Sequence, residues 1–143
     1  MNKAVTKSTK ISDIKRSWHL IDLNGKNLGR TATQIAQLLM GKAKPYFVRN
    51  LDCGDYVVVI NAKNIAVTGK KETEKIYYRY SGYPSGLSME TVERLRKRKP
   101  EEIIKHAVKG MLPQNKLRDK MLNRFFIFPE EKHIYQDKFL VKN

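Results

Sequence analysis

Asp52-Cys53-Gly54-Asp55 sets two carboxylates around the chain's single thiol. A nucleophilic cysteine needs a general base and a group to orient that base. A structural zinc site needs four ligands, usually Cys and His at set spacing. One cysteine and three scattered histidines, His19, His106 and His133, do not supply them. Cys53 therefore reads as a small buried filler at a strand entrance. Asp52 and Asp55 read as turn caps or partners of arginines. His106, between Lys105 and Ala107 on a basic helix, reads as a surface or half-buried residue and not as a base. A second candidate is Gly25-Lys26-Asn27-Leu28-Gly29-Arg30, which follows a strand and opens a helix. A nucleotide-binding P-loop needs four residues between its glycines and then Lys-Ser/Thr. Here three residues separate Gly25 from Gly29, and Arg30 follows. The loop has the wrong length to cradle a triphosphate. Backbone N–H groups at the helix start, with Arg30, suit a single phosphate of a polynucleotide instead.

The pervasive chemistry is cationic. Lys and Arg number 29 against 14 Asp and Glu in 143 residues, a net charge of +15. Such an excess repels itself and calls for an anionic partner. Residues 93–124 hold eleven cations against Glu93, Glu101, Glu102 and Asp119. Within them Arg94-Leu95-Arg96-Lys97-Arg98-Lys99 packs five cations into six residues. The remainder sit at element ends and in loops. The expected phosphate contacts are Arg30, Lys42, Lys44, Arg49, Lys70, Lys71, Arg79, Arg94, Arg96, Lys97, Arg98, Lys99, Lys109, Lys116, Arg118 and Lys120. Replacing Arg96, Lys97 and Arg98 by Ala is expected to make the log–log salt slope of RNA binding shallower by about 2 to 3. Tyr77, Tyr78, Arg79, Tyr80 and Tyr83 cluster beside a Gly/Pro loop. Tyr80 and Tyr83 are the expected stackers on unpaired bases. The competing reading makes Tyr77 and Tyr80 core aromatics. Helix-turn-helix, zinc-finger and basic-zipper patterns are missing, so RNA is favoured over DNA.

These residues need a scaffold. At 143 residues the chain fits one domain, and such a chain buries about two-thirds of its unfolded surface. Trp18-His19-Leu20-Ile21-Asp22 predicts a strand, and residues 31–40 predict a helix stopped by Gly41. Tyr56-Val57-Val58-Val59-Ile60 is β-branched without alternation, the pattern of a strand covered on both faces. Residues 65–68 predict a short third strand. Ile76 to Tyr80 reads as extended. Ser88 is placed to cap a helix running through Thr91, Val92 and Leu95. Pro100 opens another helix, with Glu101 and Glu102 near its positive end. A further helix over 115–123 and a strand over 125–128 follow. Strands alternating with helices predict an α/β domain with a mainly parallel sheet. Residues 1–17 read as a flexible basic arm, 18–128 as the core domain and 129–143 as a polar tail.

Seven stretches fall in a recognisable order. They are Trp18…Asp22, Gly25-Lys26-Asn27-Leu28-Gly29-Arg30, Asp52 through Ala62, Thr68-Gly69-Lys70-Lys71, Tyr77-Tyr78-Arg79, Gly82-Tyr83-Pro84, and Ala107-Val108-Lys109-Gly110-Met111-Leu112-Pro113. In order and spacing the chain resembles the family of large-ribosomal-subunit protein thirteen, of the bacterial and organellar type. The resemblance implies a three-layer α/β/α domain with a mainly parallel central sheet of about four strands. It implies binding to large-subunit ribosomal RNA beside neighbouring large-subunit proteins, and a part in early subunit assembly. The implied location is a ribosome in a bacterial cytoplasm, plastid or mitochondrion. Tyr80 stands where the family usually has His, Ser85 where it usually has Gly, and Arg118-Asp119 replaces the usual Gly-Arg.

No cofactor, metal, small-molecule substrate or catalytic residue is expected, and no apolar run of ~18 residues offers a membrane span. Two rivals stand beside this reading. An RNA-processing or phosphoryl-transfer enzyme of α/β fold would need a polar cluster near Asp22, Asn61 and Thr68, at the carboxyl ends of the strands. A DNA-binding protein would hold duplex DNA and ribosomal RNA equally well at moderate salt.

Overall fold

The computed structural model describes residues 8–140. The first seven residues of the expected arm and the last three of the expected tail lie outside the described residues. The central sheet is parallel, with β1 (Trp18–Asp22), β2 (Tyr56–Ile60) and β5 (Phe125–Ile127) in the order β1-β2-β5. Val57, Val58, Val59 and Ile60 on the middle strand are all buried, as an unalternating run requires. Val57 and Val59 pack beneath α1 (Leu28–Met40) and α4 (Pro100–Met111), against Ile35, Leu39, Ile104 and Val108. Full burial of each such side chain contributes roughly 1.5–3 kcal/mol. α5 (Leu117–Leu122) adds Met121 to that layer. The opposite sheet face carries a stack of aromatics. Trp18 lies 4.4 Å from Tyr56, its partner across β1 and β2, and 5.3 Å from Tyr135 in the C-terminal segment. Phe139, in α6 (Asp137–Leu140), meets the Trp18 ring edge-on. The polar tail therefore carries aromatics that cover this face.

A separate antiparallel hairpin projects from this core. β3 (Ile76–Tyr80) pairs with β4 (Leu87–Thr91) and follows the short α2 (Lys71–Glu74). Alternation gives the hairpin two faces. Tyr78, Tyr80, Leu87 and Met89 point outward and are exposed. Tyr77 turns inward onto α3 (Val92–Arg98) and α4, where it packs against Val92, Leu95 and Ile103. The connecting loop places Ser85 at φ 61°, a left-handed conformation that favours glycine.

Three elements differ from expectation. The sheet has three strands where about four were expected, because residues 65–68 contribute only one bridge, Ala66 to Asn27. Both backbone groups of Ala66 bond to the turn before α1, its N–H to Lys26 O and its carbonyl to Leu28 N. The helix expected from Ser88 starts at Val92, since residues 87–91 are engaged in the hairpin ladder. Thr91 is the cap, its Oγ1 accepting from Arg94 N. Finally α1 begins at Leu28, three residues before the expected start.

Two glycines allow the loop before β2 to close on α1. Gly41 ends α1 at φ 73°. A Cβ there would lie 2.5 Å from Cys53 O, and a Cβ on Gly54 would lie 1.7 Å from Leu39 O. Cys53 is fully buried in this contact. None of the helices among the described residues is long and apolar enough to cross a membrane.

Candidate nucleic-acid interface

The Asp52-Cys53-Gly54-Asp55 carboxylates organise the fold's own cations. Arg124, buried at the turn before β5, grips Asp52 with both Nη atoms. Arg16 donates to Gly54 O at 2.6 Å and Asp52 O at 3.0 Å, which anchors the chain just before β1 to the loop before β2. Asp55 accepts from Ser17 N at 2.9 Å and from Lys44 Nζ, and lies 3.0 Å from His19 Nε2. Burial pushes the Asp55 carboxyl up. The hydrogen bonds from Lys44, Ser17 and His19 together outweigh that and hold it below its ordinary value. Lys44 donates further to Lys15 O and Cys53 O, so its three N–H groups all have protein partners.

The run from Arg94 to Lys99 is similarly engaged. Arg96 chelates Glu72 through Nε and Nη2, at 2.7 and 3.0 Å, and donates through Nη1 to Lys63 O and Ile65 O. It ties α3 to α2 and to the 63–65 turn. Lys97 pairs with Glu93, Arg98 with Glu90 in a two-pronged contact, and Lys99 lies 3.6 Å from Glu102. Arg94 forms no ion pair among the described residues.

A groove of about 710 Å³ runs between the inner face of the hairpin and α3–α4. Arg79 from β3, Arg94 and Arg98 from α3, and Lys105 and Lys109 from α4 line it. Glu90 and Glu102 line it too and serve Arg98 and Lys99. Arg79, Arg94, Lys105 and Lys109 form no ion pair among the described residues. The groove therefore concentrates positive charge that no carboxylate among the described residues cancels. Of the cations singled out from sequence it brings together Arg79, Arg94, Arg98 and Lys109. Lys105 and His106 also line it, and sequence reasoning passed over both as groove residues. Their signal was helical spacing, because positions 102, 105, 106 and 109 share one face of α4.

The other candidates lie apart. Lys71 lines a cleft beside Asn27, Leu28 and Gly29, at the start of α1. Arg96, Lys97, Arg98 and Lys99 border a shallow depression with Lys63. Arg30, Lys42, Arg49, Lys70, Lys116 and Lys120 are exposed. Arg118 is half-buried, with its Nε unpartnered. Tyr80 and Tyr83 are 65% and 75% exposed, on the outer hairpin face and in its loop.

The ribosomal protein L13 family model matches residues 16–134, a span that includes the groove, the hairpin and the Asp52–Asp55 hub. The chain belongs to the ribosomal protein L13 family. A large ribosomal subunit protein uL13 from Dehalococcoides mccartyi is 53% identical over 128 residues, covering 90% of each chain. Its counterpart from Alcanivorax borkumensis is 48% identical over the same share. That from Symbiobacterium thermophilum is 45% identical over 126 residues, 87% of this chain and 88% of its own. In this L13-family protein the groove and the buried carboxylate hub are thus parts of one family domain. Among the described residues, no group of three or more His, Cys, Asp and Glu could hold a metal ion. Asp22, at the carboxyl end of β1, accepts from Asn61 Nδ2 at 2.8 Å and from Asn24 N at 3.0 Å. Those hydrogen bonds hold its carboxyl below the ordinary value, the Asn61 bond contributing most.

Proposed function

We propose that this L13-family protein binds large-subunit ribosomal RNA and supports early assembly of that subunit, with no catalysis of its own. The groove lined by Arg79, Arg94, Lys105 and Lys109 carries the reading. Four cations without ion-pair partners among the described residues, on β3, α3 and α4, suit a folded phosphate backbone. Each phosphate neutralised there releases counterions, and crowded RNA helices gain most from that release. Arg30, Lys42, Arg49, Lys70, Lys71, Lys116 and Lys120 extend the contact over the rest of the surface. Tyr80 and Tyr83, both exposed, are the proposed stackers. Lys97, Arg98 and Lys99, whose ion pairs are solvent-exposed, and the half-buried Arg118 stay in the proposed contact set, whereas Lys44 and Arg96 are left out because their donors are engaged within the fold. The protein's proposed place is on the ribosome, beside other large-subunit proteins.

The enzymatic rival gains little support. The Asp22 carboxylate is engaged by Asn61 and Asn24 in a turn. Co-sedimentation tests the proposal. The full chain is expected to stay with large subunits through a high-salt wash, and recovery only in the free pool would overturn it. Nucleotide-dependent thermal stabilisation without RNA would favour the enzyme.

A further inference from the structure

The inward Tyr77 ring does more than fill space between the hairpin and α4. The imidazole of His106 stacks on it, with centroids 5.1 Å apart and planes 25° from parallel. Tyr77 is fixed from below by Val92, Leu95 and Ile103, while Lys75 Nζ lies 5.3 Å from its ring centroid. His106 itself is exposed on the groove wall. Among the described residues no side-chain hydrogen bond or ion pair holds it. Its one specific contact is the stack.

A flat ring backed by a packed aromatic ring, among cations, suits a base and its phosphate together. A duplex hides the faces of its bases, whereas a bulged or looped nucleotide presents one. The groove's volume of about 710 Å³ lies within the ~300–1,000 Å³ of sites that enclose a ligand. We infer that His106, backed by Tyr77, is a stacking platform for one unpaired base of RNA. The neighbouring phosphates would sit on Arg79, Arg94, Lys105 and Lys109. This rests on the proposed RNA reading of the groove and narrows it from any phosphate backbone to one carrying an unpaired nucleotide.

The test uses the full chain and two RNA probes. One is an uninterrupted hairpin, the other the same hairpin with a single bulged 2-aminopurine. Affinity is measured across salt, with 2-aminopurine fluorescence as the stacking readout. The unaltered protein is expected to prefer the bulged probe by about fivefold or more, the low end for one stacked base, and to quench it. His106→Ala is expected to abolish preference and quenching while leaving the salt slope unchanged, since no phosphate contact is lost. His106→Phe is expected to keep both, which separates stacking from hydrogen bonding by the imidazole. Thermal unfolding of both variants checks that the fold is intact. No preference in the unaltered protein, or preference and quenching that survive His106→Ala, would overturn the platform. Lys105→Ala with Lys109→Ala tests the groove reading separately. It is expected to weaken both probes and flatten the slope while preserving the preference, and an unchanged slope would sink the groove reading.

Discussion

Arg124 holds the carboxylate of Asp52 through both Nη atoms although 72 positions separate them in sequence. The pair joins the turn before β5 to the loop before β2, and Arg124 reaches Leu39 O at the end of α1 as well. Removing Asp52 strands the buried Arg124 guanidinium, which costs about 3–5 kcal/mol, whereas removing Arg124 leaves the part-buried Asp52 with Arg16 at 3.5 Å and costs less, about 1–3 kcal/mol. Arg124→Met and Asp52→Asn should each lower the urea-unfolding midpoint accordingly. A loss below about 1 kcal/mol in either variant would contradict this role.

Asp55 gives a pH dependence with a definite sign. Its carboxyl is held below the ordinary value in the folded protein, so the unfolded chain takes up its proton first as pH falls. The stabilisation is fully present above the ordinary carboxylate value of about 4 and is lost as pH drops through the folded value below it. Denaturant unfolding at pH 7 and at about pH 3 should show that loss. Asp55→Asn should be less stable at pH 7 and lose less on acidification. An equal acid loss in parent and variant would remove Asp55 from the account.

The aromatic stack on the sheet face opposite α1 and α4 can be read through the chain's single tryptophan. Tyr135 and Phe139 cover Trp18 from the C-terminal segment. Tyr135→Ala with Phe139→Ala should shift Trp18 emission to the red and cost at least about 1–3 kcal/mol, since the two pairs with Trp18 alone contribute roughly 0.5–1.5 each. Unchanged emission would mean that the segment does not cover Trp18 in solution.

Arg96 should behave as a structural residue. With Glu72 and two carbonyls on its guanidinium, Arg96→Ala is expected to cost about 2 kcal/mol of stability, in the range of hydrogen bonds to charged groups. Its RNA-binding salt slope should stay unchanged. With Lys97 and Arg98 also paired to carboxylates, the triple alanine variant should flatten the slope by less than the 2 to 3 that cation density alone suggests. Unaltered stability with a flatter slope for Arg96→Ala would return Arg96 to the RNA contacts.

What the sequence made legible was mostly local. The β-branched run at Val57 to Ile60, the stop at Gly41 and the Pro100 start of α4 each follow from a few adjacent residues. The buried fate of Cys53 follows from the habit of free cysteines, with too few partners for a zinc site. Distant pairing was hidden. Nothing near Lys44 names Asp55, and nothing near Arg96 names Glu72, 24 positions earlier. Whether a cation faces solvent or closes the fold depends on such partners. The missed cap at Thr91 has the same origin, because Ser88 could be excluded only by knowing that β4 pairs with β3. Lys105 and His106 were visible as helix-face neighbours of Lys109. The hairpin that turns that face into a groove wall was not.

The central claim is that groove cations without ion-pair partners among the described residues meet RNA phosphates. Its most direct test is the salt dependence of large-subunit ribosomal RNA binding by a variant with Arg79, Arg94, Lys105 and Lys109 all changed to Ala. Each lost phosphate contact removes about 0.7–0.9 from the log–log slope, so the account predicts a slope shallower by about 3 with the fold intact. A folded variant that keeps the parent's slope and affinity would contradict it.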